Sequence, residues 1–215
     1  MSTPPPESPR YRTEQEAFWA GSFGNDYIAR NEGSQLLASN LHFFSQALRS
    51  AGRIGSCVEF GANIGMNLRA LQLLYPQLEA TGIEINAEAA RQLADLVGAE
   101  RVFNGSIFDY PVRQQAELVL IKGVLIHINP EMLPATYVKL VEASSRYVLV
   151  CEYYNPAPVA IAYRGHSDRL FKRDFAGEMM RAHPELRLVD YGFAYHLDTA
   201  FPQDDITWFL MEKAG

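Results

Sequence analysis

The chain has 215 residues, enough to bury a sizeable core and few enough to form one domain. A formal net charge of −6, with 48% hydrophobic and 20% charged residues, argues against sequence-independent nucleic-acid binding, which relies on Lys and Arg neutralising phosphates. Cys57 and Cys151 both sit inside apolar runs and not in ligand spacing, so they predict inert buried thiols of a reducing compartment and no metal site.

The opening MSTPPPESPR lacks the apolar core of a signal peptide and reads as a disordered leader over residues 1–12. No apolar run reaches the length of a membrane span, so a cytoplasmic protein with no membrane partner is expected. One domain is expected over 13–215, with a helical cap over 13–50 made of two helices, Thr13 to Arg30 and Gly33 to Arg49. Strand and helix signals then alternate. Gly55 to Phe60 predicts a strand and Met66 to Leu74 a helix; LEATGIEI predicts the next strand and AEAARQLADLVG its helix. RVFNGS is a short strand, AELVLIKGVLI a longer buried one, PEMLPATYVKLVEAS a helix opened by Pro130, and RYVLVCEYY another buried strand. Strands alternating with helices imply parallel βαβ units and an α/β, Rossmann-like doubly wound sheet. After a helix in RDFAGEMMRAH, the segments LRLVDYGFAYH and ITWFLMEK predict an antiparallel hairpin closing one sheet edge.

The chemistry concentrates where the first strand ends. In open α/β sheets ligands bind beyond the carboxyl ends of the strands, near the switch in strand order. The segment Glu59-Phe-Gly-Ala-Asn-Ile-Gly65 falls at such an end, and its glycines suit a tight turn that lets the backbone approach a ligand. Glu84 ends the next strand, 23 positions after Gly61, a separation at which a carboxylate can accept hydrogen bonds from ribose hydroxyls. A dinucleotide fingerprint needs a glycine where Asn63 stands; a nucleoside-type ligand without a diphosphate fits this turn better. A purely structural strand–turn–helix is the alternative.

VEFGANIG, GIEIN and the closing strand pair resemble the class I S-adenosylmethionine (SAM)-dependent methyltransferases, whose fold is a seven-stranded sheet with an antiparallel last strand. TEQEAFWAGSFGNDYIARN, IKGVLIHINPEMLP, CEYYNPAPVAIAYRGHSDRLFKRDFAGEM and FPQDDITWFL are similar, more narrowly, to the pseudaminic acid biosynthesis-associated methylases. The resemblance implies SAM as cofactor, with S-adenosylhomocysteine (SAH) as product. It implies that Gly61, Ala62 and Gly65 line the methionine part, that Glu84 binds the ribose, and that Ser106 and Ile107 flank the adenine. Glu59, Asn63, Ile85 and Lys122 join the expected cofactor set from the same strand ends.

Other residues extend the candidate site. Trp19, Tyr27 and Arg30 in FWAGSFGNDYIARN are either aromatics of a helix buried on the sheet or a lid over the cofactor, with Arg30 matched to a carboxylate. His127, in LIKGVLIHINPE, is either a general base for an acceptor hydroxyl or a residue lining the pocket. Glu152, Tyr153, Tyr154 and Asn155 end the fifth strand on the ligand side, where they are expected to touch the acceptor; packing is the alternative for the two tyrosines. Arg164, His166, Lys172 and Arg173, in the charged YRGHSDRLFKRDF, are either a solvated face or a loop binding an anionic acceptor. His196, Asp204 and Asp205, between the last two strands, either border the same pocket or belong to a polar hairpin loop, with Asp205, Tyr153 and His127 as candidate catalytic groups. The expected function is methyl transfer to oxygen or nitrogen of a small, polar, anionic acceptor such as a sugar acid or nucleotide-linked sugar. An NAD(P)-binding oxidoreductase and a non-catalytic SAM-binding protein are the rivals.

Overall fold

A computed structural model of the chain describes residues 11–28, 33–163 and 166–214, with backbone only at 163 and 166–169. The N-terminal cap consists of α1 (Glu14–Ala20), α2 (Ser22–Ile28) and α3 (Ser34–Ala47). Then follow β1 (Ser56–Phe60), α4 (Met66–Leu74), β2 (Glu79–Glu84), α5 (Ala87–Val97), β3 (Val102–Asn104), β4 (Ala116–Lys122), α6 (Leu133–Ala143) and β5 (Ser144–Glu152). The chain closes with β6 (Val159–Tyr163), β7 (His166–Lys172), α7 (Phe175–Ala182), β8 (Leu186–Ala194) and β9 (Ile206–Lys213).

Seven strands form one sheet in the order β3-β2-β1-β4-β5-β9-β8. The pairs from β3 to β5 are parallel, and β9 runs antiparallel between β5 and β8. This is the α/β fold with an antiparallel last strand that the sequence resemblance implies. The order reverses between β1 and β4, and the register aligns their ends: Phe60 lies beside both Ile83 and Ile121, and Lys122 beside Cys151. The central strand is apolar at successive residues because helices cover both faces. Leu118 and Leu120 pack with Phe44, Leu68, Leu71 and Leu93 on one side. Val119 and Ile121 pack with Phe60, Leu125, Tyr137 and Met179 on the other. Fully burying one such side chain contributes roughly 1.5–3 kcal/mol. Cys57 and Cys151 are buried free thiols within this core. No helix among the described residues is long and apolar enough to cross a membrane.

Two expectations are corrected. The single helix expected from Thr13 is two helices, divided at Gly21, which has an extended backbone (φ −92°, ψ −158°). The carbonyls exposed by that break are taken up elsewhere: the Asn86 side-chain amide donates to Trp19 O and Gly21 O, both at 3.4 Å. The charged stretch expected as a loop is an antiparallel ribbon, β6 paired with β7. Val159 and Ile161 alternate along its first strand and Leu170 is buried on its second. That period of two outweighs the charges around it.

Candidate functional site

A cavity of about 710 Å³ opens beyond the carboxyl ends of β1, β2, β4 and β5. It is closed on one side by α1 and α2 and on another by the loop between β8 and β9. Its size is within the range of small-molecule and cofactor sites.

The turn after β1 makes the floor. Gly61 (φ +78°) and Asn63 (φ +49°) adopt left-handed conformations, and the N–H groups of Gly61 and Ala62 both donate to Ile83 O at 2.9 Å. A side chain on Gly61 would begin 2.5 Å from Val124 Cγ2, so only glycine lets the turn pass beneath β4's end. Gly61, Ala62 and Asn63 line the cavity. Gly65, expected with them, does not: a Cβ there would meet Leu93 and Leu96 at 2.7 Å, so its φ of +85° serves the packing of α4 on α5.

Glu84 ends β2 in the cavity wall. One carboxylate oxygen accepts Asn63 N–H and the other Asn86 N–H, each at 2.7 Å. Burial pushes its carboxyl up, and these two bonds pull it back toward the charged form. Glu59 stands behind the wall, not in it. It is fully buried and accepts from Asn67 Nδ2 at 2.6 Å, its other oxygen has no partner, and burial pushes it up to about 8. Its contact with the cavity runs through Asn67, which lines it. Ser106 is likewise displaced from the expected cofactor wall, because its hydroxyl is turned onto the Glu16 carboxylate; its neighbour Ile107 and Ile85 line the cavity.

Lys122 lines the cavity with its ammonium 5.5 Å from the Phe43 ring centre, and makes no hydrogen bond among the described residues. Its charge pulls the Glu59 and Glu152 carboxyls toward their ionised forms. Glu152, expected to touch the acceptor, instead accepts Val124 N–H (2.9 Å) and Leu125 N–H (2.8 Å) and so ties down the short 3₁₀ turn Leu125–His127. Burial pushes Glu152 up to about 8 as well, and one of its oxygens is also without a partner. His127, on that turn, is buried in the cavity wall with its ring centre 4.7 Å from that of Trp19. Trp19 packs edge-on to Tyr27 at 5.3 Å, and both line the cavity.

Beyond β5 the expectations divide. Tyr153 faces the cavity, with the Lys172 ammonium 5.1 Å over its ring. Lys172 itself is outside the wall. Tyr154, one residue on, points the other way and lies 5.9 Å from Phe209, because successive residues of extended chain alternate in direction. Asn155 closes a local turn onto Ala157 O. Arg173 is not free for an acceptor: it pairs with Glu178 at 2.8 Å, and Glu178 also accepts from Tyr137 Oη at 2.7 Å. Arg30, Arg164 and the side chain of His166 lie outside the described residues. In the β8–β9 loop Asp204 and His196 line the cavity, whereas Asp205 stands behind His196 and is bonded to it.

The sequence reading missed several polar members of the wall. Asn40 on α3 accepts from Gln203 Nε2 at 2.8 Å, and both line the cavity. Their only sequence signal is a buried asparagine within the apolar face of α3. Asn86 is the other. Its Oδ1 caps α5 by accepting from Glu88 N–H and Ala89 N–H (3.1 and 3.0 Å), and its Nδ2 donates to Asn25 Oδ1 at 2.8 Å. One residue thereby joins Glu84, the start of α5 and the α1–α2 pair. Asn86→Ala should cost about 1 kcal/mol for the lost cap and more for the lost tie. Hydrogen exchange across residues 14–28 should accelerate at least tenfold relative to β4 and β5; unchanged protection there would refute the tie.

No protein-family model matches the chain, and none of the curated proteins does. Solved structures do. The mitomycin 7-O-methyltransferase is 17% identical with a TM-score of 0.64, covering 94% of this chain and 61% of its own. The chain thus spans less than two thirds of that enzyme. The Burkholderia thailandensis 1,6-didemethyltoxoflavin-N1-methyltransferase, solved with its substrate and SAH, is 14% identical with a TM-score of 0.68, covering 93% of this chain and 87% of its own. The magnesium protoporphyrin IX methyltransferase of Synechocystis, solved with SAH, is 12% identical with a TM-score of 0.65, covering 92% and 97%. At these identities the likeness is one of fold.

Proposed function

We propose that this chain is a SAM-dependent methyltransferase acting on a small, polar, anionic acceptor. The observation that carries the reading is the buried carboxylate of Glu84 at the end of β2, facing the glycine turn across one wall of a nucleoside-sized cavity. The residues present suit SAM. Each Glu84 oxygen accepts one backbone N–H and retains a lone pair for a ribose hydroxyl. Ile85 and Ile107 offer an apolar slot for adenine, and Lys122 a cation for the methionine carboxylate. Trp19, Tyr27 and Tyr153 place aromatic rings in the lining, and aromatic rings favour a sulfonium.

Bound there, SAM supplies an electrophilic methyl group. The chain's own contribution is then positional: to hold the acceptor in line near the floor of the cavity, and to exclude water with α1 and α2. The neighbouring enzymes are named for mitomycin, a toxoflavin precursor and magnesium protoporphyrin IX, so the shared fold does not select an acceptor. A sugar acid or nucleotide-linked sugar rests on the resemblance to the pseudaminic acid-associated methylases.

Of the two tryptophans, Trp19 lines the cavity and Trp208 is buried in the core. Titrating SAH should change the emission of Trp19, and saturation at about 100 times Kd should stabilise the fold by about 2.7 kcal/mol. NAD should do neither. A melting shift with NAD and none with SAH would replace this reading with the oxidoreductase.

A further inference from the structure

Among the described residues two histidines reach the cavity, and their surroundings differ. The ring of His127 is buried against the Trp19 indole. His196 stands at the start of the β8–β9 loop, with its Nδ1 2.8 Å from Asp205 Oδ1; the same oxygen accepts its backbone N–H at 3.1 Å. The hydrogen bond from His196 holds the Asp205 carboxyl below its usual range, so it is ionised near neutral pH. A carboxylate only accepts, so Nδ1 carries the proton and the Nε2 lone pair is left open. Nε2 makes no hydrogen bond among the described residues, and the side chain is 52% exposed.

The loop holding this pair is fixed to α3 at three points. Gln203 bonds Asn40 at 2.8 Å, Gln35 bonds Ala200 O at 3.1 Å, and Phe201 stacks on His42 at 4.6 Å. Asp198 closes the loop's own turn by accepting from Ala200 and Phe201 N–H, both at 2.8 Å. The imidazole is therefore held at Nδ1 by a carboxylate and carried on a loop pinned to α3.

We propose that His196 is the general base for a hydroxyl acceptor, with Asp205 as its positioning residue. This rests on the methyltransferase reading. As the acceptor oxygen bonds to the methyl carbon, the carbon–sulfur bond breaks and its electron pair stays on sulfur. The acceptor's proton passes to Nε2, the imidazolium is stabilised by Asp205, and the proton leaves through the exposed side of the ring. Of the groups around the pair, the Tyr195 ring lies 4.8 Å from that of His196 and the field of Lys172 on β7 acts on Asp205, while Asp204 and Tyr153 line the same cavity.

The test has two arms on the full chain. Long-range nitrogen NMR, which needs no turnover, should show His196 as the Nδ1–H tautomer, and Asp205→Ala should return it to the Nε2–H form that free histidine favours. In the second arm, tritium-methyl SAM is supplied with a deproteinised small-molecule extract of the source cells. His196→Ala should cut label transfer about a hundredfold or more and abolish the rise of rate with pH as the imidazole loses its proton. SAH affinity by calorimetry should stay within twofold, and His127→Ala should keep the pH limb. An Nε2–H tautomer in the wild type, or near-normal transfer by His196→Ala, would overturn the role while leaving the methyltransferase reading intact. A wild-type chain that binds no SAH, or binds it and transfers no label, overturns both.

Discussion

Glu84→Ala is expected to weaken SAH binding by one to several orders of magnitude and to destabilise the fold at the same time. The affinity loss follows from one or two charge-assisted hydrogen bonds to ribose, on the order of 1.5–3 kcal/mol each. The stability loss follows from Asn63 N–H and Asn86 N–H, which would lose their acceptor at 2.7 Å; leaving such donors unpaired costs on the order of 1–3 kcal/mol each. Glu84→Gln separates the two effects, since its carbonyl still accepts one of the donors while the charge is gone. Calorimetric titration of SAH against both variants, with urea unfolding alongside, reads each loss. Wild-type affinity in both would remove Glu84 from the site. Gly61 is the poorer position to alter, because any side chain there strikes Val124 and strains the φ of +78° before it reaches a ligand.

The second large effect is on stability against pH. Glu59 and Glu152 are fully buried, each has an oxygen without a partner, and each is pushed up to about 8 by burial. Lys122 and the hydrogen bonds to Asn67, Val124 and Leu125 pull the other way and do not prevail. The folded chain therefore keeps both protons above the usual 4.5, at which the unfolded chain releases them. Unfolding then releases protons, so these groups' contribution is whole below about 4.5 and is lost as pH climbs toward about 8. The slope within that window is about 1.4 kcal/mol per pH unit for each group. Glu59→Gln and Glu152→Gln should each remove one such slope, so urea stability measured from pH 5 to 8 should diverge from wild type in the variants' favour. Parallel curves would mean that both carboxyls titrate normally.

The sheet was legible because its central strands are apolar at consecutive positions and its helices at every third or fourth. Those two periods survive any substitution that preserves burial. The β6–β7 ribbon was hidden because charges mask its alternation, and the division of the cap was hidden because Gly21 carries no breaker partner in sequence; Asn86, which receives the freed carbonyls, lies 65 residues away. In the site, strand ends could be placed by topology, which is why Gly61, Ala62, Asn63, Glu84, Lys122, His127 and Tyr153 fall on one cavity wall. Direction could not. Tyr154 follows Tyr153 and faces away, and Arg173 follows Lys172 into an ion pair with Glu178. The bond between Asn40 and Gln203 spans 163 positions and leaves no local trace.

The cap's attachment to the sheet has a thermal consequence. The buried residues of α1 are Gln15 and Glu16, and much of what crosses to the body is polar: Glu16 with Ser106, Arg12 with Asp109, and Asn25 and two carbonyls with Asn86. Phe18, Trp19, Phe23 and Tyr27 pack largely on one another within the cap. Lifting α1 and α2 therefore wets these polar ties together with the Trp19 face on His127 and the buried Ile28, and polar and apolar exposure change the heat capacity in opposite directions. The opening enthalpy of the cap should be nearly constant with temperature, while that of the sheet core behind it rises steeply. On warming, the cap would come loose gradually, well before the cooperative melting of the domain.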